Sequence, residues 1–124
     1  MEVIRISCEH KLIVTIVKKG YATKIVQATK KAGCKGGTIL LGRGTANKCG
    51  YLRFLQIDDC DQKEVILTLV DESKVDIILD TIAKVGKLNK PGTGIAFVVN
   101  TKCITGICHL MLKTLQESET TATN

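Results

Sequence analysis

Val65-Ile66-Leu67-Thr68-Leu69-Val70-Asp71-Glu72-Ser73 is the stretch on which the fold turns. Six consecutive apolar or β-branched residues read as a strand, buried on one face or both. The acidic, hydroxyl-rich triplet that follows opens a helix, and Ser73 with Asp76 is spaced as a capping box. Val75, Ile78, Leu79 and Ile82 then recur at helical spacing, and Gly86 is placed to stop the helix. Beyond it come a basic, glycine-rich loop from Lys87 to Gly94 and another strand, Ile95-Ala96-Phe97-Val98-Val99.

Working back toward the N-terminus, the same sentence is written once before. Leu12-Ile13-Val14-Thr15-Ile16-Val17 is a strand broken by Gly20. Ala22, Ile25, Val26 and Ala32 make a helical stripe with Lys24, Gln27, Lys30 and Lys31 toward water, and Gly33 closes it. Thr38-Ile39-Leu40-Leu41 is a strand between Gly36-Gly37 and Gly42-Arg43-Gly44. Strand, helix, strand, twice over, is the ferredoxin-like βαββαβ order: an α+β domain with an antiparallel sheet and both helices on one face. The bare face needs cover, and association of copies is the usual way to supply it.

The 124 residues suit one domain, expected over residues 1–116, with a polar, frayed tail at 117–124. Ile104 to Leu115 reads equally as a short strand, a helix or one of each. With 44% hydrophobic but only 3% aromatic residues, the core must be Val, Ile and Leu. That scarcity also argues against single-stranded nucleic acid as a partner, because bases stack on aromatic side chains. The net charge of +6 suits an anionic ligand or an acidic protein face. The chain starts without the pattern of a secretory signal, and its apolar runs are too short for a bilayer, so a cytoplasmic protein without membrane insertion is expected. Six Cys are then expected to be reduced. Cys8, Cys34, Cys49, Cys60, Cys103 and Cys108 lack the close pairing of a zinc knuckle. Cys49 and Cys60 bracket a long aperiodic segment and are the pair open to redox linkage, while the others read as small core residues.

Two glycine-rich segments carry the chemistry. Gly42-Arg43-Gly44-Thr45 combines backbone able to approach a phosphate, a guanidinium fork and a hydroxyl. Lys87-Leu88-Asn89-Lys90-Pro91-Gly92-Thr93-Gly94 combines two lysines with a flexible turn. Taken singly, each is also what ordinary turn chemistry writes. No nucleophile and base can be assembled, and Asp58, Asp59 and Asp61 sit in a polar loop, so the chain reads as a binding module and not an enzyme.

Together these segments resemble the PII signalling superfamily over roughly residues 11 to 107. Gly37-Thr38-Ile39-Leu40-Leu41-Gly42-Arg43-Gly44-Thr45 is similar to the strand entering that family's T-loop. Gly92-Thr93-Gly94-Ile95-Ala96-Phe97-Val98-Val99 is similar to its B-loop exit and fourth strand. The resemblance implies a homotrimer binding an adenine nucleotide (ADP, ATP or AMP) in clefts between subunits. It places Thr38 near the adenine and Ile16 and Phe97 along the pocket. Gly42, Arg43, Gly44, Thr45, Gly92, Thr93 and Gly94 would face the phosphates. Residues 46 to 62 would form the T-loop, presenting Tyr51, Arg53 and Phe54 to a target protein such as a transporter or a metabolic enzyme.

The sequence also departs from the family pattern. Ile95 stands where a phosphate-binding Lys is expected, with Lys87 and Lys90 as nearby substitutes. Gly106 and Cys108 fall where two Arg would reach across the cleft. Loss of these cations implies weakened triphosphate binding and a preference for ADP or AMP. Neither Tyr51 modification nor a 2-oxoglutarate response is supported by the loop's own residues. Two other readings fit the fold class: a trimeric divalent-metal-tolerance protein, which the Cys and His spacing serves poorly, and a small acylphosphatase-like hydrolase, for which Arg5 is the sole Arg before Arg43.

Overall fold

The computed structural model describes residues 5–7, 9–45 and 62–106. Two short strands, β1 (Arg5–Ser7) and β6 (Cys103–Thr105), pair antiparallel as a small separate ribbon. The main body runs β2 (His10–Lys18), α1 (Ala22–Lys31), β3 (Thr38–Arg43), β4 (Gln62–Asp71), α2 (Val75–Val85) and β5 (Gly94–Asn100). Its four strands form one antiparallel sheet in the order β3-β4-β2-β5, the ferredoxin-like arrangement expected from the sequence.

Alternation along the strands sorts the side chains. Ile13, Thr15 and Val17 of β2 and Ile66, Thr68 and Val70 of β4 point toward the helices and are all buried. Ala22 and Ile25 of α1 and Ile78 and Ile82 of α2 meet them, with Val26, Val75 and Leu79 packed around the edge. Each fully buried Ile contributes about 1.5–3 kcal/mol of transfer free energy. Among the described residues the opposite face has no helix over it. Leu12, Val14 and Ile16, Val65, Leu67 and Leu69, and Ile95, Phe97 and Val99 share that face by register. Ile95 is 56% and Phe97 42% exposed there.

The helix ends are built differently from one another. Gly33 closes α1 at φ +112°, with Cys34 N–H donating to Thr29 O at 2.9 Å and the Lys74 ammonium donating to Gly33 O at 3.4 Å. At its start α1 has no cap from Tyr21. Instead the Glu64 carboxylate, from β4, accepts from the amides of Gly20 and Ala22. The expected capping box of Ser73 and Asp76 is not the device at the second helix. Asp71 Oδ1 accepts from Ser73 N–H at 3.1 Å and Ser73 Oγ at 3.2 Å, capping a single 3-10 turn, Glu72–Lys74, that leads into α2. Asp71 wins because β4 delivers its carboxylate in extended conformation next to the free amides.

Gly86 also acts otherwise than expected. It keeps helical dihedrals, with φ −79°, and the left-handed residue is Lys87 at φ +53°. What Gly86 provides is room. A Cβ there would lie 3.0 Å from Ile82 O and 3.3 Å from Ile25 Cδ1, so its absence lets α1 and α2 come together. Cys34 is buried as expected of a small core residue, whereas Cys103 is exposed. Cys8, Cys49, Cys60 and Cys108 lie outside the described residues, as do the 117–124 tail and most of the Ile104–Leu115 segment.

Candidate anion-binding site

Antiparallel pairing brings four strand ends to one end of the sheet. Arg43, the last residue of β3, faces Gln62, the first of β4. Lys63 faces both Gly42 and Lys18, and Gly94 at the start of β5 faces Val17. The chain therefore leaves β3 and returns on β4 side by side, with residues 46–61 between.

At this end an open cleft of about 440 Å³ is lined by Lys19, Leu41, Gly42, Arg43, Gln62 and Lys63. Among the described residues three cations line it and no carboxylate does. Arg43 extends from exposed edge strand, and Leu41, 76% exposed, supplies an apolar wall. Lys19 sits in the turn after β2. Its amide donates to Gln62 O at 3.2 Å, and Gly20 beside it takes φ +102°, a conformation that favours glycine. Glu64, one residue along from Lys63, turns its carboxylate onto the amides of this turn. That negative charge meets the positive end of α1.

The glycine-rich loop is compact. Leu88 N–H donates to Ala83 O at 2.9 Å and Lys90 N–H to Lys87 O at 3.0 Å. The Thr93 hydroxyl lies 2.8 Å from Lys87 O and 2.9 Å from Lys90 O, so its proton is used to fold the loop on itself. Lys87 and Lys90 are exposed. Gly94 is at φ +155°, and a Cβ there would lie 2.4 Å from Ile16 O, so only glycine allows β5 to approach β2 this closely.

The residues singled out by sequence thus occupy separate places in one protomer. Gly42 and Arg43 line the cleft, with Gly44 and Thr45 immediately beyond the end of β3. Gly92, Thr93, Gly94, Lys87 and Lys90 lie at the same end of the sheet but on the opposite edge, three strand spacings or about 14 Å away. Ile16 and Phe97 stand on the bare apolar face. Thr38 begins β3, about 17 Å of strand from Arg43. Tyr51, Arg53 and Phe54 lie outside the described residues. Lys19 and Lys63 were not singled out by sequence. The signal was faint: Lys63 lies beyond a long loop from Gly42, and only the β3–β4 register makes them neighbours. Among the described residues no group of three His, Cys, Asp or Glu side chains is placed to hold a metal ion, and no helix is long and apolar enough to cross a membrane.

The family model of nitrogen regulatory protein P-II matches residues 10–107, spanning the whole four-stranded sheet and both helices. The chain belongs to the P-II family. Its members are non-catalytic signalling regulators, which agrees with the absence of a nucleophile–base pair in the sequence reading. The crystal structure of Arabidopsis thaliana PII bound to citrate is similar, with a TM-score of 0.59 over 76% of each chain and 19% identity. At that identity the likeness establishes the fold. No curated protein matches the chain.

Proposed function

We propose that this P-II protein binds an adenine nucleotide (ATP, ADP or AMP) with its phosphates in the cleft at Arg43, and that the bound state is read out by residues 46–62 on a target protein. The observation that carries this is the cleft itself: three cations and the Gly42 backbone converge, with no lining carboxylate among the described residues, where the chain enters and leaves that segment. A phosphate held by Arg43 and the amides beside it fixes the loop's base, and it favours whichever loop state binds it more tightly. The target is of the class served by such regulators, a transporter or a metabolic enzyme.

A homotrimer accounts for the rest of the geometry. The bare face of Val14, Ile16, Leu67 and Phe97 needs apolar cover, and packing of copies supplies it. Assembly also brings residues that one protomer keeps apart, the glycine-rich loop and the Arg43 cleft, into the reach of neighbours.

Calorimetry with AMP, ADP and ATP tests the reading. Arg43→Ala is expected to weaken binding by about 1.5–3 kcal/mol, the scale of a charge-assisted hydrogen bond, and to leave the fold intact because Arg43 is exposed. Equal binding by parent and variant for every adenine nucleotide would refute it.

A further inference from the structure

We infer that Lys19, positioned by Glu64, is a phosphate-chain contact, and that the cleft therefore selects a di- or triphosphate over a monophosphate. This rests on the anion-binding reading above and names its residues and selectivity. The cleft's cations stand on different elements: Arg43 on β3, Lys63 on β4 and Lys19 in the turn after β2. β2 and β3 flank β4, so Lys19 and Arg43 are mounted two strand spacings apart, about 10 Å. A chain of phosphates spans such a width better than one phosphate group does. Three like charges around one cleft also repel until a ligand of matching charge arrives, and each further phosphate relieves more of that repulsion.

Lys19 is not left to wander from its anchor. Its own amide is tied to Gln62 O on β4. The turn that carries it is clamped by Glu64, whose carboxylate accepts from the amides of Gly20 and Ala22 on either side of Tyr21. Glu64 Oε1 accepts from both amides of the turn, and so fixes the base of Lys19. Glu64 is thus a positioning residue, and Lys19 is the contact. On family resemblance alone, Ile95, Gly106 and Cys108 leave the site short of cations and inclined to ADP or AMP. The cleft's own lysines argue the reverse for the longer phosphate chain.

The test is titration calorimetry on the full chain with AMP, ADP, ATP and inorganic tripolyphosphate at fixed ionic strength. Lys19→Gln is expected to weaken ATP and tripolyphosphate by about tenfold, about 1.4 kcal/mol, and AMP by less than twofold. Lys31→Gln, in the last turn of α1 and outside the cleft, controls for general charge and should change neither. Glu64→Ala should reproduce part of the Lys19→Gln loss, Glu64→Gln should restore it because an amide oxygen still accepts both amides, and Glu64→Ala should add nothing once Lys19 is gone. Nucleotide binding that Lys19→Gln leaves unchanged, or weakens equally for AMP and ATP, overturns this inference alone. Lys19-dependent binding of tripolyphosphate without binding of any nucleotide upholds it and defeats the nucleotide reading. A parent protein that binds none of the four ligands defeats both.

Discussion

Replacing Gly94 by Ala probes the closest backbone approach in the sheet. The new Cβ would lie 2.4 Å from Ile16 O, 2.9 Å from Val17 Cγ1 and 3.2 Å from Val17 Cα. Carbon and carbonyl oxygen settle near 3.3–3.6 Å even when they attract, so about 1 Å must be found. Ile16 is paired to Val65 on one side and Ile95 on the other, so its carbonyl has little freedom to turn aside. The start of β5 has to move instead, at about 1–3 kcal/mol for overpacking. The backbone at φ +155° adds about 1–3 kcal/mol for a residue with a Cβ. Loss of unfolded-state freedom returns about 0.4–1 kcal/mol. The net expectation is a destabilisation of about 1–5 kcal/mol. Gly92 is the internal control: it has φ +80° but nothing within 4 Å of its would-be Cβ, so Gly92→Ala carries the conformational cost alone, about 1 kcal/mol. Urea unfolding followed by circular dichroism, at one matched protein concentration because association shifts apparent stability, measures both. If Gly94→Ala and Gly92→Ala fall within 0.5 kcal/mol of each other, with that margin set by ordinary additivity error, the close approach is not a constraint and the reasoning fails.

Asp71→Ala should destabilise by about 0.5–2 kcal/mol, the worth of an N-cap, whereas Asp76→Ala should cost much less; the reverse order in urea titrations would restore the Ser73–Asp76 capping box. Thr15 Oγ1 is buried without a hydrogen-bond partner among the described residues, so Thr15→Val should stabilise the protein by about 1 kcal/mol, and a loss of stability would show that the hydroxyl is satisfied. Phe97→Glu places a charge on the bare sheet face and should lower the mass found by light scattering at micromolar concentration from that of the proposed trimer toward monomer, with helical content retained; an unchanged mass would remove that face from the interface.

The fold was legible because its signals are local and repeated. The β-branched runs at Leu12–Val17 and Val65–Val70 and the stripes Ala22–Ile25 and Ile78–Ile82 each declare period and burial within a dozen residues. What escaped the sequence was set by long-range geometry. Glu64 caps a helix that begins forty-two residues earlier, and no short-range pattern announces such a cap. Lys63 becomes a neighbour of Gly42 only through the register of two strands. Gly86 looked like a left-handed helix stop because glycine usually is one there, but here the tight approach of α1 to α2 claims it and Lys87 takes the left-handed position. The ribbon of β1 and β6 joins chain segments near opposite ends of the sequence, each too short to carry a period.

The pairing of Arg43 with Gln62 has a consequence for how such a protein can change over generations. The two ends of the intervening segment are fixed as cross-strand neighbours by a ladder that stands without it. The entropy of closing that loop grows only with the logarithm of its length, about 0.6 kcal/mol per doubling. On that term, a change in the number of residues between 46 and 61 costs folding little. If that segment contacts a target, as proposed above, selection can rewrite it while the core and the cation cleft at its root stay as they are. On that proposal, a single scaffold can diversify its partners without having to be stabilised afresh each time.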